Sequence, residues 1–231
     1  MAGSLAASSD LLRQRGTATI GSSSCPRLTM PQRALLIDFD GVLRHWPADD
    51  DLETAHGLPT GSILRSALEP ARQQALVTGR LSDADWRREI ATQLRATHAE
   101  ADVAGAIARW SDGAGQIDQA MLALVQQRTS GWGLVLVTNA SSRLRTDLTL
   151  LGLDSCFDVV VNSSELGVAK PAAAFFHTAL KMAGCTATDA VFVDDSMGNV
   201  QAAQALGLRA HRHEAFESTR RFLLECGVVR E

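Results

Sequence analysis

Two pairs of aspartates stand directly after short apolar runs, where buried strands would end. Asp38 and Asp40 follow the first run in "LLIDFDGV", and Asp194 and Asp195 follow "AVFV". Carboxylates are costly to bury unless they are paired, protonated or bound to a metal. Their oxygens are ligands that Mg²⁺ prefers, and the ion would offset the repulsion between neighbouring acids. The aspartates therefore predict a magnesium site.

The same residue types could carry out phosphoryl transfer. A carboxylate can attack phosphorus to form an aspartyl-phosphate, which divides one difficult step into two. A second acid two residues along the chain can donate a proton to the leaving oxygen and then activate water. Thr138, near the end of "GLVLVTN", and Lys170, before Pro171, could stabilise the phosphoryl oxygens.

The elements that must position these residues alternate between strands and helices. The runs "RALLIDF", "GLVLVTN", "FDVVVNS" and "AVFVDD" are typical of strands covered on both faces. Helical segments that end at glycine separate the later runs. The pattern predicts an α/β fold, a Rossmann-like open parallel sheet with helices on both faces. Ligands bind beyond the carboxyl ends of such strands, so the candidate residues are expected to meet at one edge.

The stretch between the first two strands breaks this alternation. "SDADWRREIATQL" has Ser82 as its expected N-cap and sets Trp86, Ile90 and Leu94 on one face. "QIDQAMLALVQQR" carries a second apolar stripe. These segments predict a small all-helical cap domain inserted after the first strand.

We therefore expect three parts of the chain. Residues 47–128 form the insert, and residues 30–46 with 129–231 form the core domain. Residues 1–29 are rich in serine and poor in acids, which favours a disordered leader over a targeting segment. Translation could also begin at Met30.

Composition limits the partners. The 231 residues include 22 basic and 26 acidic side chains, a net charge of -4, which offers no electrostatic footprint for nucleic acid or an anionic membrane. The four cysteines are widely scattered and favour reduced thiols over a disulfide framework or a zinc site. We expect a cytoplasmic protein acting on a small molecule, and the oligomeric state is left open.

Four ordered motifs resemble those of the haloacid dehalogenase superfamily, in its branch with a helical cap. They are "DFDGV", "VTNA", "AKP" and "VFVDDSMGNVQAAQALG". The resemblance covers about residues 33–215 and implies a phosphatase that depends on Mg²⁺. Asp38 matches the family's nucleophile and Asp40 its general acid and base.

The resemblance also implies the remaining roles. Thr138 and Asn139 match the motif that contacts phosphate, and Lys170 matches the lysine that steadies the nucleophile and the phosphoryl group. The Asp38 carboxylate, the Asp40 main-chain carbonyl and the Asp195 carboxylate match the Mg²⁺ ligands, with Asp194 beside the metal. Asn199 stands where many members carry a second acid, and could hold a metal-bound water.

The insert and the reaction type leave alternatives open. Inserts of this kind overhang the site and select the substrate, so Arg80 in the "TGR" turn could contact a substrate phosphate or sugar, or could simply be a surface residue. The favoured function is hydrolysis of a small phosphorylated metabolite such as a sugar phosphate. The alternatives are a phosphomutase, a haloacid dehalogenase or a catalytically idle binding protein.

Overall fold

The computed structural model describes residues 33–230, so the predicted leader of residues 1–29 and Met30 lie outside the described part of the chain. Its strands, in chain order, are β1 (Arg33–Ile37), β2 (Arg44–His45), β3 (Gln116–Ile117), β4 (Trp132–Thr138), β5 (Val159–Asn162), β6 (Ala190–Asp194) and β7 (Arg209–Arg212). Five of them form a parallel sheet in the order β5-β4-β1-β6-β7. The parallel sheet confirms the predicted α/β fold.

Helices cover the sheet and form the insert. They are α1 (Leu52–Ala55), α2 (Ser62–Ala67), α3 (Pro70–Val77), α4 (Asp83–Thr97), α5 (Val103–Ser111), α6 (Gln119–Gln126), α7 (Leu144–Leu150), α8 (Ser163–Leu166), α9 (Ala173–Ala183), α10 (Met197–Ala205) and α11 (Phe216–Glu225). None of the helices between residues 33 and 230 is long and apolar enough to cross a membrane.

The core lies on both faces of the sheet, because successive side chains of a strand point to opposite faces. Leu35 and Ile37 of β1 pack into one apolar cluster, with residues of α6, α7 and α11. Leu36 packs into a second cluster on the other face, with residues of α9 and α10. In that cluster the rings of Phe176 and Phe192 meet edge to face, with centroids 5.3 Å apart. The three central strands, β1, β4 and β6, are therefore covered by an apolar cluster on each face of the sheet.

The insert has an apolar cluster of its own, formed by residues of α1, α2, α4 and α5 and the segments between them. Its longest helix, α4, starts as predicted: the Ser82 hydroxyl accepts a hydrogen bond from the backbone N–H of Asp85. Ile90 and Leu94 are buried in the cluster, and Trp86 packs against it. The predicted helix and its apolar face are confirmed.

The packing moves one boundary of the insert. Helix α6 lies within the predicted insert of residues 47–128, yet Met121, Leu122, Leu124 and Val125 all belong to the apolar cluster of the core. The same stretch also contains a short strand that the sequence pattern does not indicate. This strand, β3, pairs antiparallel with β2 over two residues. From this packing we infer that the insert runs from β2 to β3 and that α6 belongs with the core.

Candidate active site

Three aspartates meet at the carboxyl edge of the sheet. Asp38 follows β1, Asp194 ends β6, and Asp195 follows it. One carboxylate oxygen from each lies within 4.8 Å of the others. The strands fix this meeting, since β1 and β6 are neighbours and the Asp38 N–H donates to the Val193 carbonyl at 3.0 Å. Asp38 and Asp194 are buried, whereas Asp195 is exposed.

Lys170 is placed between two of these aspartates. Its Nζ lies 2.9 Å from Oδ1 of Asp38 and 2.6 Å from Oδ2 of Asp194, and it donates a third bond, of 2.9 Å, to the Val137 carbonyl. The Lys170 side chain is 0% exposed. An ammonium group removed from water needs such partners for its charge and its protons. Lys170 therefore fixes the Asp38 carboxylate at the sheet edge.

Burial and charge shift the pKa values of this cluster. Burial raises the pKa of Asp38 to about 7, against the opposing charge of Lys170, and the nearby Asp194 carboxylate adds to the rise. Burial acts to lower the pKa of Lys170, but the charges of Asp38 and Asp194 outweigh it and raise that pKa above its ordinary value. Burial and the Asp194 charge raise the pKa of Asp195. A bound cation would counter the effect on both acids.

Asp194 serves as the fixed centre of the cluster. Besides Lys170, its carboxylate accepts hydrogen bonds from the Ser196 N–H at 2.8 Å and from Nδ2 of Asn199 at 3.0 and 3.1 Å. Asn199 is buried and its amide faces Asp194. In the structure the Nδ2 group of Asn199 binds the aspartate itself, and the role suggested by the sequence, holding a metal-bound water, stays a prediction. Asn199 is a positioning residue for Asp194.

Gly41 makes room for Asp195. Its φ of +81° lies in the left-handed region, and a Cβ atom there would overlap Oδ2 of Asp195. Only a residue without a side chain fits both demands at this turn. The turn therefore brings the backbone after β1 directly against the exposed carboxylate.

Replacing Gly41 by alanine is expected to impair the site more than the backbone cost alone explains. The matched control is Gly152→Ala, because Gly152 also has a left-handed φ, of +70°, but has nothing within 4 Å of an added Cβ. Both variants should lose about 1 kcal/mol of stability from the backbone. Only Gly41→Ala should also lose activity, because it displaces Asp195. Equal kcat/KM values for the two variants would contradict this role.

Asp40 is held by a guanidinium and an indole. Arg44 donates from Nε to Oδ1 at 2.7 Å and from Nη2 to Oδ2 at 2.8 Å, and Trp46 donates from Nε1 to Oδ1 at 2.8 Å. The guanidinium also binds Oδ2 of Asp147 at 2.9 Å and stacks between the rings of Phe39 and Trp46, at 4.3 and 4.6 Å from their centroids. A bidentate pair of this kind fixes a carboxylate closely. Arg44 thus links Asp40 to helix α7.

Thr138 and Asn139 follow β4 but face different surroundings. Thr138 is buried at the end of the strand, level with Asn162 of β5. Asn139 exchanges two hydrogen bonds of 2.9 Å with the backbone of Lys170, from Nδ2 to the carbonyl and from the Lys170 N–H to Oδ1. These bonds hold the backbone of Lys170 in place, and the phosphate contact expected of Thr138 and Asn139 stays a prediction.

Arg80 lies at the surface of the insert rather than among the aspartates. It is exposed, and its Nε donates to Oγ1 of Thr78 at 3.2 Å. The preceding Gly79 has a φ of +69° and rests so closely on the backbone of Ser164 in α8 that a Cβ would overlap it. The turn therefore docks the insert on the core, while a substrate contact by Arg80 stays a prediction.

A cavity of about 660 Å³ lies between the insert and the core. The insert supplies side chains from α1 to α5, and the core supplies Ala140 and Ser141 after β4 together with residues of α7. Arg44 and Trp46, which hold Asp40, line it as well. The cavity is thus adjacent to the edge that carries the aspartates.

Sequence reasoning missed Arg44, Asp147 and Arg143. Arg143 donates to Oδ1 of Asp147 at 2.7 Å, so that Asp147 joins two guanidiniums in the wall of the cavity. Local signals existed, since Arg44 follows Asp40 by four residues, as Asp147 follows Arg143. The contact between Arg44 and Asp147 spans 103 positions and becomes visible only in the fold.

Comparison with known proteins gives a family and several relatives. The family described as "haloacid dehalogenase-like hydrolase" matches residues 32–207. The sesquiterpene phosphatase astK of Aspergillus oryzae is 26% identical over 179 residues, which are 76% of this chain and 87% of that protein. A phosphoglycolate phosphatase of Pectobacterium atrosepticum is 31% identical over 96 residues, 41% of this chain and 40% of that protein.

Two further likenesses differ in extent. Drimenol cyclase drtB of Aspergillus calidoustus is 43% identical over 54 residues, and the matched part is only 10% of that protein. A HAD family enzyme of Bacteroides thetaiotaomicron, solved in complex with magnesium and inorganic phosphate, superposes with a TM-score of 0.63 at 20% identity. That superposition covers 79% of this chain and 94% of that one, and it shows a shared fold.

Proposed function

The chain belongs to the haloacid dehalogenase-like hydrolases and is an enzyme, and we propose that it is a Mg²⁺-dependent phosphatase of a small phosphorylated metabolite. The observation that carries the proposal is the contact of Lys170 Nζ with Asp38 and Asp194, beside the exposed Asp195. The phosphatase names of the relatives support the reaction type. Those names point to different substrates, so the substrate class needs a separate argument.

The donor set fits Mg²⁺. Asp38, Asp194 and Asp195 each offer one oxygen, and hard carboxylate oxygens are what this ion binds. The main-chain carbonyl of Asp40 stays an expected ligand together with the carboxylates of Asp38 and Asp195, and Asp194 is expected beside the metal. Bound Mg²⁺ would offset the charge of the carboxylates and of the phosphoryl group.

The side chains of this chain supply the rest of the reaction. Asp38, held by Lys170 and by its own hydrogen bond from the Phe39 N–H at 2.7 Å, attacks phosphorus as the bond to the leaving oxygen breaks. Asp40, once one of its oxygens is released from Arg44 and takes up a proton from solvent, gives that proton to the leaving oxygen and then takes one from the water that hydrolyses the aspartyl-phosphate. Arg44 occupies both Asp40 oxygens in the structure, so one of these contacts must be exchanged for the substrate.

Phosphate release from p-nitrophenyl phosphate tests the proposal, measured with Mg²⁺ and with excess EDTA. We expect turnover with Mg²⁺ and its loss in EDTA, because the three acids would then repel the phosphate group. Re-addition of Mg²⁺ should restore the rate, which controls for damage by the chelator. Chloride release from 2-chloropropionate in EDTA, without phosphate release in Mg²⁺, would overturn the proposal in favour of a dehalogenase.

Mg²⁺ affinity is expected to fall as the pH falls from 8 to 6. The pKa of Asp38 is raised to about 7, so below that pH the metal must displace a proton from the carboxyl group. The raised pKa of Asp195 acts in the same direction. Titration calorimetry should show roughly a tenfold loss of affinity over this range. Measurement in two buffers with different ionisation enthalpies should reveal proton release near pH 6, and equal affinities at pH 6 and 8 would contradict the assignment.

A further inference from the structure

The cavity between insert and core is lined largely by apolar side chains. They include Trp46, Leu52, Leu64, Leu76, Trp86 and Trp110. Two of them, Leu64 and Trp46, are among the most exposed large apolar residues of the described chain, at 56% and 53%. Its volume of about 660 Å³ falls in the range of about 300–1,000 Å³ that binds small ligands. Exposed apolar surface gathered in one concave place indicates an apolar ligand.

Each charged residue that lines the cavity already has a partner of opposite charge. Arg87 lies 2.7 Å from Asp83, and Arg109 lies 2.5 and 2.8 Å from Asp49 and Asp51. The other two guanidiniums that line it belong to Arg44 and Arg143, both bound to Asp147. A carboxylate or second phosphate on the substrate would have to share a guanidinium with the aspartates that already bind it. The lining therefore disfavours a substrate with an anionic group beyond the one that is hydrolysed.

The cavity and the aspartates share a boundary. Arg44 and Trp46 line the cavity and hold Asp40, two residues from Asp38. Ala140 and Ser141 line it from the segment directly after Thr138 and Asn139. A phosphate ester with its phosphoryl group at Asp38 would direct its alcohol toward this boundary.

We propose that the substrate is the phosphate ester of an apolar alcohol, whose hydrocarbon part occupies the cavity between the insert and the core. This inference rests on the proposed phosphatase function. It replaces the sugar phosphate expected from the sequence, because a sugar would leave its hydroxyls against tryptophan and leucine side chains.

A series of unbranched alkyl phosphates tests the inference. We would measure kcat/KM with Mg²⁺ for ethyl, butyl and octyl phosphate, below micelle-forming concentrations, beside phosphoglycolate and glucose 6-phosphate. Each methylene buried in the cavity can raise kcat/KM by up to about fourfold. Octyl phosphate has six more methylenes, so burial of about half of them should make its kcat/KM exceed that of ethyl phosphate by about a hundredfold, and both polar esters should be poor substrates. Equal values along the series, or a preference for phosphoglycolate, would overturn the inference.

The Leu64→Asn variant distinguishes binding of the hydrocarbon in the cavity from hydrolysis of the phosphate ester. Leu64 lines the cavity and is exposed, so its replacement should leave the fold intact. We expect kcat/KM for octyl phosphate to fall about fivefold while that for ethyl phosphate is unchanged. Leu150→Asn is the matched control, since Leu150 is 66% exposed on α7 and its substitution should change neither value. Equal losses on both esters in Leu64→Asn would contradict a role in binding the hydrocarbon.

Binding measured without turnover keeps the two proposals distinguishable. Three of the four tryptophans, Trp46, Trp86 and Trp110, line the cavity, so octyl phosphate should change the intrinsic fluorescence and phosphoglycolate should not. A fluorescence change without phosphate release from any ester would support the cavity assignment and refute the phosphatase function. Phosphate release without a chain-length effect or a fluorescence change would support the phosphatase function and refute the cavity assignment.

Discussion

The Asp38→Asn variant is expected to lose at least about a thousandfold in kcat with p-nitrophenyl phosphate while remaining folded. An amide nitrogen or oxygen is a far weaker nucleophile than a carboxylate, and removal of a nucleophile costs most of the rate that covalent catalysis provides. Asparagine has nearly the same shape, so it can still receive the hydrogen bond from the Phe39 N–H. The loss should therefore appear in kcat rather than in stability.

The controls for this variant are a thermal melt and a second amide substitution. Asp50→Asn removes a carboxylate from an exposed position at the start of the insert and should leave kcat unchanged. Rapid quenching of the wild-type enzyme with a radioactive phosphate ester should trap label on the protein, and Asp38→Asn should trap none. A variant that keeps turnover, or still retains the label, would remove Asp38 from the nucleophilic role.

The Lys170→Met variant is expected to lose about 3–5 kcal/mol of stability near pH 8, since it leaves two buried carboxylates without their cation. The loss should be smaller near pH 5. In the wild type the Lys170 charge opposes the rise in the pKa of Asp38, so without it this pKa rises further. The folded variant then holds a proton on Asp38 that the unfolded chain releases, and its free energy of unfolding falls as the pH increases through that interval.

Urea denaturation at both pH values measures the effect. Lys181→Met is the matched control, because Lys181 is the chain's other lysine and is exposed on α9. Its substitution should change stability little at either pH. Added Mg²⁺ should restore part of the stability of Lys170→Met at pH 8, since a cation can replace part of the lost charge. A loss that is the same at pH 5 and pH 8 would show that packing, rather than charge, is what Lys170 supplies.

The fold could be predicted from the sequence because its signals are local. Apolar runs such as Leu134–Val137 are fully buried in β4, and Ser82 caps α4 through a bond to a residue three positions away. Ligands bind beyond the carboxyl ends of the strands in a parallel sheet, so the gathering of the candidate residues at one edge could also be predicted, whereas the pairing of β1 with β6 is seen only in the structure. The extent of the insert could not be predicted in this way, because α6 has an apolar stripe that either the insert or the core could have buried.

The candidate site could be predicted only in part, for a related reason. Motif positions indicate which residues lie near the edge, but the direction of an amide or a guanidinium depends on distant partners. Asn139 turns to the backbone of Lys170, and Asn199 turns to Asp194. The contact of Arg44 with Asp147 joins a segment beside β1 to a helix after β4. Such contacts depend on side-chain packing across the fold, which spacing along the chain does not encode.

The pairing of His45 with Gln116 in β2 and β3 has a consequence for how such a protein can diversify. The chain leaves the core and returns to it at adjacent positions, and the segment between carries its own apolar cluster. Since the two ends are antiparallel neighbours, a short turn could join them without disturbing the sheet. Exchange of this segment as a unit would change the lining of the cavity and leave the aspartates of the sheet edge in place.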